Sequence, residues 1–390
     1  MLKWKIYIFL GGALSTFSPD LFAENLRFGD AHSDLGEVTI SGWLRANIMD
    51  KDYTDDREHN LKFDAAKLAI KYEAKNIFGA LEYRCYQFNT LCDFSSLVDA
   101  NLGYKLSEDN TITFGIQEIP FGPGRGWSTS WFGGMVINAG LEDVHNLGIR
   151  YSSNINSTTK FDGAFFTRDA GNYTGKSLDS AHYSANYVKP DQKNQPYVKE
   201  KNMLLARLIK EIPLSNQPDL NLKLGSSYWY SDIENKNDSQ TGHRNAWSAF
   251  SKINYKNANV TLTLGRNKVT HLDSLGRDYA VVGSFDSSYN LANEASFYTF
   301  DVNYPMKDVL YGWSLTPYLT YSALQKQPRE FERSNRNIFG IQADKGHFSV
   351  AAEYLLSKND PFIGGNANSF AQGDDLGWRS LLNILLFYNF

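Results

Sequence analysis

The residues most open to a chemical interpretation are charged side chains that alternate with apolar ones along short segments. In one such segment Lys67 and Lys71 alternate with Leu68, Ile70 and Tyr72. Successive side chains of a β-strand point to opposite faces, so this segment would present charge on one face and apolar groups on the other. Charge at mid-membrane on a lipid face costs about 2–4 kcal/mol, so the separation suits a strand between lipid and water.

Across all alternating segments, the polar face carries nine bases and six acids. The bases are Arg45, Lys67, Lys71, Arg84, Lys105, Arg150, Arg168, Lys223 and Lys252, and the acids are Glu73, Glu82, Asp99, Asp162, Asp301 and Glu353. Charged side chains that line a pore select ions, and this small excess of bases predicts at most a mild anion preference. Solvated charges without selectivity in any watery lumen are the alternative.

A second group of charges lies in a Gly- and Trp-rich segment, 118–145. It contains Arg125 and the carboxylates of Glu118, Glu142 and Asp143. We expect the segment to fold inward and narrow a pore, with its carboxylates opposite wall cations, so that a transverse field crosses the constriction. The predicted wall cations are Arg45, Lys67, Lys71, Arg84, Lys105 and Arg150. Alternatively, the segment caps the barrel or contacts a neighbouring subunit.

The elements that position these charges are sixteen predicted strands. They lie near 37–50, 61–74, 77–88, 97–107, 110–117, 146–153, 158–168, 202–212, 219–231, 244–256, 259–268, 294–304, 312–322, 335–343, 347–357 and 377–390. Short connections alternate with long ones rich in Asn, Asp, Ser and Gly, and 118–145 is the third long one. This pattern predicts an all-β, transmembrane antiparallel barrel wide enough for an aqueous lumen. Fourteen or eighteen strands remain possible.

Both ends of the sequence favour export to an outer membrane. Lys3 and Lys5 precede a short apolar stretch, which predicts a signal peptide over 1–23 with cleavage after Ala23. An N-terminal periplasmic segment over 24–36 and a barrel over 37–390 would follow. The chain ends in a strand with apolar residues at every second position back from Phe390. That ending resembles the assembly signal of bacterial outer-membrane barrels.

Composition excludes several other classes. After the signal sequence no apolar run is long enough for a membrane helix, and the formal net charge of −4 indicates no nucleic-acid partner. None of the seven His residues lies in a recognisable catalytic context, so we expect neither an enzyme nor a cofactor. Cys85 and Cys92 suit a disulfide across one loop, or two free thiols, better than a metal site.

The third long segment also carries a resemblance to a known family. The runs 117–122, 140–143 and 147–151 (QEIPFG, GLED and LGIRY) resemble the phosphate-selective porin O and P group of proteobacterial porins. The resemblance covers about 110–155 and implies a trimeric, sixteen-stranded barrel with an inward third loop. A lysine-rich loop and an arginine ladder for phosphate are not recognisable in this sequence.

The resulting functional hypothesis is a water-filled channel for small hydrophilic solutes or ions. Its partners would be outer-membrane lipid, lipopolysaccharide and two further copies of the chain. One rival is a substrate-specific channel, for phosphate or for oligosaccharides that stack on Trp127, Trp131 and Phe132. Those aromatic side chains would equally serve to wedge the loop against the wall. A barrel enzyme is the second rival.

Overall fold

The computed structural model describes residues 26–54, 61–170, 173–175, 179, 182–214 and 219–390. The predicted signal peptide, 1–23, lies outside these residues. The described chain forms strands joined by turns and loops, with one short helix, α1 (Met135–Asn138). Among the described residues, no helix is long and apolar enough to cross a membrane.

The strands are numbered in chain order. The first eleven are β1 (Leu26–Asp30), β2 (Gly36–Lys51), β3 (Lys62–Glu73), β4 (Ile77–Tyr86), β5 (Phe94–Lys105), β6 (Asn110–Glu118), β7 (His145–Asn156), β8 (Thr159–Asp169), β9 (Tyr173–Thr174), β10 (Asn186–Tyr187) and β11 (Val198–Pro213). The others are β12 (Leu220–Asn235), β13 (Thr241–Tyr255), β14 (Ala258–Thr270), β15 (Tyr279–Ser284), β16 (Ser287–Ala292), β17 (Glu294–Asn303), β18 (Met306–Leu310), β19 (Trp313–Gln327), β20 (Ser334–Lys345), β21 (Phe348–Lys358) and β22 (Trp378–Asn389).

Sixteen of these strands form a closed antiparallel barrel, which confirms the predicted fold class. They are β2–β8, β11–β14, β17 and β19–β22, and each matches one predicted strand. The first and last pair with each other, from Trp43 opposite Asn389 to Lys51 opposite Leu381, and so close the barrel. Closure pairs the two edges of the barrel sheet with each other. An open sheet edge in lipid would leave backbone groups without hydrogen-bond partners.

Both ends of the described chain bind to β2. Leu26–Asp30, inside the predicted segment 24–36, pairs with the first part of that strand. Gly42 exchanges two backbone hydrogen bonds with the terminal Phe390, at 2.8 and 3.0 Å. The terminal residue therefore extends the ladder that closes the barrel.

Side chains alternate between the two barrel faces, as the sequence pattern predicts. In β22, Leu382 and Tyr388 are exposed on the outside, whereas Leu385 and Phe387 are buried inside. Trp43 also lies inside the barrel. It is 3% exposed and packs inside on Phe387, since it has the same parity as the inward Arg45.

The connections alternate in length. Among the short ones are 74–76, 106–109, 157–158, 256–257 and 346–347, and the longest are 119–144, 170–197, 271–293 and 359–377. One predicted long loop, 232–243, is shorter than expected: β12 and β13 extend into it and leave only 236–240 unpaired. The barrel thus has a short-turn end and a long-loop end.

Candidate functional site

The connection 119–144, called loop 3 below, lies inside the barrel. Its backbone N–H at Thr129 donates to Asp301 at 2.9 Å, and its N–H at Trp131 donates to Glu353 at 2.8 Å. Both carboxylates are buried on inward positions of β17 and β21. Loop 3 therefore reaches the wall opposite the strands from which it starts.

Three buried arginines hold the loop from other strands. Each pairs with a carboxylate at 2.8 to 3.1 Å and uses a remaining donor for a glycine carbonyl of loop 3. The sets are Arg207 with Asp162 and Gly122, Arg244 with Glu200 and Gly140, and Arg336 with Asp360 and Gly133. A guanidinium has five N–H donors in a planar fork, so one side chain satisfies both partners.

The near wall is the part of the barrel formed by β4 and β5, next to the strand from which loop 3 starts. There loop 3 contributes a cation to a group of acids. Arg125 contacts Asp143 of the same loop at 2.8 Å and Glu82 of β4 at 2.9 and 3.0 Å. It also lies 3.4 Å from Asp99 of β5. Arg84 adds a second guanidinium, 2.6 Å from Glu82. The expected arrangement is therefore reversed here, with a loop cation facing wall carboxylates.

The adjoining His145 joins two of these acids. Its Nδ1 lies 2.9 Å from Asp99 and its Nε2 2.8 Å from Asp143. Burial raises the pKa of the Asp143 carboxyl, but the Arg125 guanidinium and the His145 ring outweigh burial and hold that pKa well below its usual range. Asp143 therefore stays ionised and keeps this part of loop 3 on the wall.

Glu142 has the opposite environment from its neighbour in sequence. Burial raises the pKa of Glu142 to about 8, despite the backbone N–H of Trp127, which donates to the carboxyl at 2.6 Å. The carboxyl groups of Asp143 and Asp301 raise it further. Glu142 thus fastens one end of loop 3 to its other end, and the wall cation on which it acts electrostatically is Lys252, which is not among the six expected opposite the loop.

The other predicted constriction residues are spread over the lumen. Arg150 donates to the backbone carbonyl of Glu118 at 3.4 Å, so these two lie together at the start of loop 3. Arg45 forms an ion pair with Asp64, and its guanidinium lies 5.1 Å from the Trp43 ring. These residues line the strands around loop 3 and do not form one cluster.

The predicted lysines fall in two places. Lys67 lies directly opposite Arg84 on the neighbouring strand and acts electrostatically on Glu82. Lys105 instead bonds Glu73 at 2.9 Å near the short-turn end, and Lys71 is exposed on the same part of the wall. The last two were predicted at the constriction and are not near loop 3, because strand parity gives the face of a residue but not its height.

The aromatic residues of loop 3 mostly anchor it. Trp127 is 1% exposed and packs between Phe121 and Phe297, with ring centroids 6.2 and 5.8 Å away. The Trp131 ring lies 4.4 Å from Phe387. These contacts wedge the loop against the wall and leave Trp127 inaccessible to a solute.

Loop 2, residues 87–93, is braced separately. Cys85 and Cys92 form a disulfide with the Cα atoms 4.9 Å apart. The Asp93 carboxylate accepts the backbone N–H groups of Phe88, Asn89 and Thr90 at 2.8 to 3.1 Å. Loop 2 is therefore held in one conformation next to the near wall.

Towards the short-turn end, two inward lysines face each other. Lys223 of β12 and Lys252 of β13 are direct cross-strand neighbours. Like charges placed opposite each other destabilise a sheet, unless water or a counter-ion lies between them. Lys223 contacts Glu211 at 3.4 Å, while Arg207 and Lys223 act electrostatically on Lys252. Glu118 and Glu142 also act electrostatically on Lys252, and Arg207 pairs with Asp162, so these bases lie among carboxyl groups.

In sequence comparisons, no family model matches the chain and no curated protein matches it. In structure comparisons, it is similar to the outer-membrane channel DcaP of Acinetobacter baumannii, with a TM-score of 0.57, 12% identity and coverage of 93% of this chain and 99% of that one. OmpT, an outer-membrane protein of Vibrio cholerae, aligns with a TM-score of 0.54 at 12% identity over 93% and 99%.

The anion-selective porin from Comamonas acidovorans also aligns, with a TM-score of 0.53, 10% identity and coverage of 91% of this chain and 100% of that one. At this identity the likeness concerns the fold. The chain has the closed barrel fold of outer-membrane porins. In the part of the chain that the structure describes, no cluster of His, Cys, Asp or Glu is arranged to hold a metal ion.

Proposed function

We propose that the protein is an outer-membrane porin, a water-filled channel for passive diffusion of small hydrophilic solutes. The observation that carries this proposal is loop 3, which is fastened to the inside of a sixteen-stranded barrel on opposite walls. A barrel of this size encloses an aqueous lumen, and a fixed internal loop narrows that lumen. Thr129 and Arg125 mark the two ends of that attachment.

The proposal includes the cellular setting. The signal peptide over 1–23 directs the chain to export, and the apolar outer face lies in outer-membrane lipid beside lipopolysaccharide. The functional unit is a homotrimer, in keeping with the resemblance to the phosphate-selective porin O and P group. Long loops face outwards and short turns face the periplasm, which is the usual orientation of such barrels.

We further propose a mild preference for anions. Arg150 lines the lumen beside loop 3, and Lys252 lies opposite Lys223 nearer the short turns, where Lys223 pairs with Glu211. Many of the other inward charges are used in ion pairs that hold loop 3. The surplus available to a permeating ion is therefore small.

A channel specific for oligosaccharides has less support, because Trp127 is buried and Trp131 is stacked on Phe387. A catalytic function has even less support. Both ring nitrogens of His145 are bound to carboxylates, so neither is free to take a proton from a hydroxyl.

The test is conductance of the purified protein in a planar lipid bilayer. We expect stable, ohmic steps and a reversal potential in a salt gradient that shows slight anion selectivity. Absence of conductance would refute the channel, and strong cation selectivity would refute the preference. Block of the current by maltooligosaccharides, with no effect of phosphate, would favour the specific sugar channel.

A further inference from the structure

A β-hairpin crosses the long-loop end of the barrel. It lies in the connection 271–293 and consists of β15, β16 and the turn between them; residues 279–292 are called the strap below. At its root, the N–H of Val269 in β14 donates to the carbonyl of Asn293, just before β17, at 2.7 Å. Each strand of the strap has six residues, so the strap extends about 20 Å from the wall of β14 and β17.

The tip of the strap reaches the near wall. The ring centroid of Phe285 lies 5.4 Å from that of Tyr86, the last residue of β4, and 5.9 Å from that of Phe94, the first residue of β5. In order around the barrel, β4 and β5 are the third and fourth strands, and β14 and β17 are the eleventh and twelfth. Eight of sixteen strands is half the circumference, so the strap spans the diameter of the mouth.

Both edges of the strap are bonded to other long loops. On one edge, β15 pairs with β10, which belongs to the connection 170–197. On the other edge, the N–H of Ala292 donates to the carbonyl of Phe370, in the connection 359–377, at 2.9 Å. The strap is therefore the middle of a wider sheet that joins three long loops across the mouth.

The strap also packs on loop 3. The Tyr289 hydroxyl donates to the carbonyl of Asn138, the last residue of α1, at 2.6 Å. Val282 and Leu291 are buried in the same hydrophobic cluster as Met135 of α1. Because the strap belongs to the long-loop end and loop 3 lies inside the barrel, a solute that enters from the long-loop end meets the strap first.

We infer that the strap is a second size filter in series with loop 3, and that it sets the largest solute that enters from the long-loop side. Phe285 holds this filter in place, because it fastens the tip of the hairpin to the wall opposite its root. The inference rests on the proposed function, since a filter acts only on a channel that conducts. Loss of the Phe285 ring would free the tip without a change of charge in the lumen.

The first test is polymer exclusion on single channels in a planar bilayer, with polyethylene glycol added to one side at a time. The strap is removed by replacing 280–291 with two glycines, because Tyr279 and Ala292 are cross-strand neighbours that a two-residue turn can join. In the wild type, a polymer too large for the mouth should leave the conductance unchanged from the long-loop side. Without the strap, the same polymer should enter from that side and lower the conductance.

The side of addition separates the strap from loop 3. Loop 3 keeps its contacts with both walls in the strapless protein, so its sensitivity to polymer from the short-turn side should equal that of the wild type. Equal polymer sensitivity of the two proteins from the long-loop side would overturn the filter and leave the channel standing. No conductance in either protein would instead refute the proposed channel.

Phe285→Ala tests the tip in a protein that keeps the strap. Each aromatic pair contributes about twofold to tenfold to an equilibrium constant, and the Phe285 ring makes three pairs, the third with Tyr183. The fraction of time spent at a higher conductance level should therefore rise at least about tenfold.

The matched control is Phe88→Ala. The Phe88 ring also stacks on Tyr86 and Phe94, but it belongs to loop 2 and not to the strap. This variant should spend as little time at the higher level as the wild type. Equal effects of Phe88→Ala and Phe285→Ala, or no effect of Phe285→Ala, would overturn the role of the tip.

Discussion

Arg336 and Asp360 form an ion pair that no solvent reaches, with 2.8 Å between Nε and Oδ2. The same guanidinium donates to the Gly133 carbonyl at 3.0 Å and to the Asn138 side chain at 3.1 Å. One arginine of the wall thus joins loop 3 to Asp360 in the last long loop, so the two loops share an anchor.

Removing this anchor should lower the stability of the folded barrel. In Arg336→Gln the Asp360 carboxylate is left buried without its cation, which typically costs about 3–5 kcal/mol. We expect urea unfolding in lipid vesicles to show a loss of that size and single-channel records to become noisier. Lys358→Gln is the control, since Lys358 pairs with Glu332 at a partly exposed site, 3.1 Å apart. It should change stability by less than about 1 kcal/mol.

Glu353 gives a sharper test of the loop position, because it is the acceptor for the loop tip. One carboxylate oxygen accepts from Ser130, Trp131 and Tyr318 at 2.7 to 2.8 Å, and the other accepts from Phe132 at 3.2 Å. In Glu353→Gln the amide nitrogen must face an N–H donor, and an unsatisfied buried group costs about 1–3 kcal/mol. The tip should detach, and mean conductance should rise.

The control for that experiment is Glu73→Gln, near the short turns, where the carboxylate pairs with Lys105 at 2.9 Å, away from loop 3. Its conductance should match the wild type. A Glu353→Gln channel with normal conductance and noise would mean that the tip is held without this carboxylate.

The disulfide of loop 2 should act locally. Cys85 and Cys92 are seven positions apart, and closing a loop of that length removes about 2.5 kcal/mol of entropy from the open chain. In C85S/C92S, loop 2 should be cleaved by chymotrypsin at Phe88 or Leu91, which are exposed. Wild type should become equally sensitive only after reduction. Loss of the whole barrel to protease would contradict a local role.

The raised pKa of Glu142 predicts that the attachment of loop 3 depends on pH. Its folded pKa, about 8, lies above the ordinary value for an unfolded chain, so the folded state binds the proton more tightly. The stability due to this proton is complete below about pH 4.5 and is lost as the pH rises through 8. Above pH 8, charge on Glu142 repels Asp143 and Asp301, so loop 3 should loosen.

The measurement is single-channel noise between pH 6 and pH 9. Wild type should become noisier as the pH passes about 8, whereas Glu142→Gln, which keeps an oxygen for the Trp127 N–H, should be flat. Identical pH profiles for the two proteins would assign the effect to another group.

The sixteen strands could be predicted because most barrel strands alternate between polar side chains that face the lumen and apolar side chains that face lipid. β11 is the exception that shows the limit: Met203, Leu205 and Ile209 are buried inside, while Leu204 and Leu208 are exposed outside. Both faces are apolar, so periodicity does not reveal which way the strand faces.

The sequence pattern also did not reveal the three arginines that anchor loop 3. Arg207 is an inward charge of that strand, and Arg244 and Arg336 lie close to strand ends, where the alternation is short. Their carboxylate partners come from other strands or loops, and Asp360 is 24 positions from Arg336. Such pairings depend on how loops return into the lumen, which strand parity does not encode.

The opposed lysines near the short turns make the most direct test of selectivity. Lys252→Glu turns a positive pair into a pair of opposite sign, because Lys223 lies directly across from it. Anions would lose an attractive site at that wall, so the reversal potential in a salt gradient should move towards cation selectivity.

Lys210→Glu makes the same change of charge near the same end. Lys210 pairs with Leu224 on the lipid side, however, so the charge lies outside the lumen. Selectivity that responds to Lys252→Glu and not to Lys210→Glu would place the permeating ion beside β12 and β13, and equal responses would place the effect at the membrane surface.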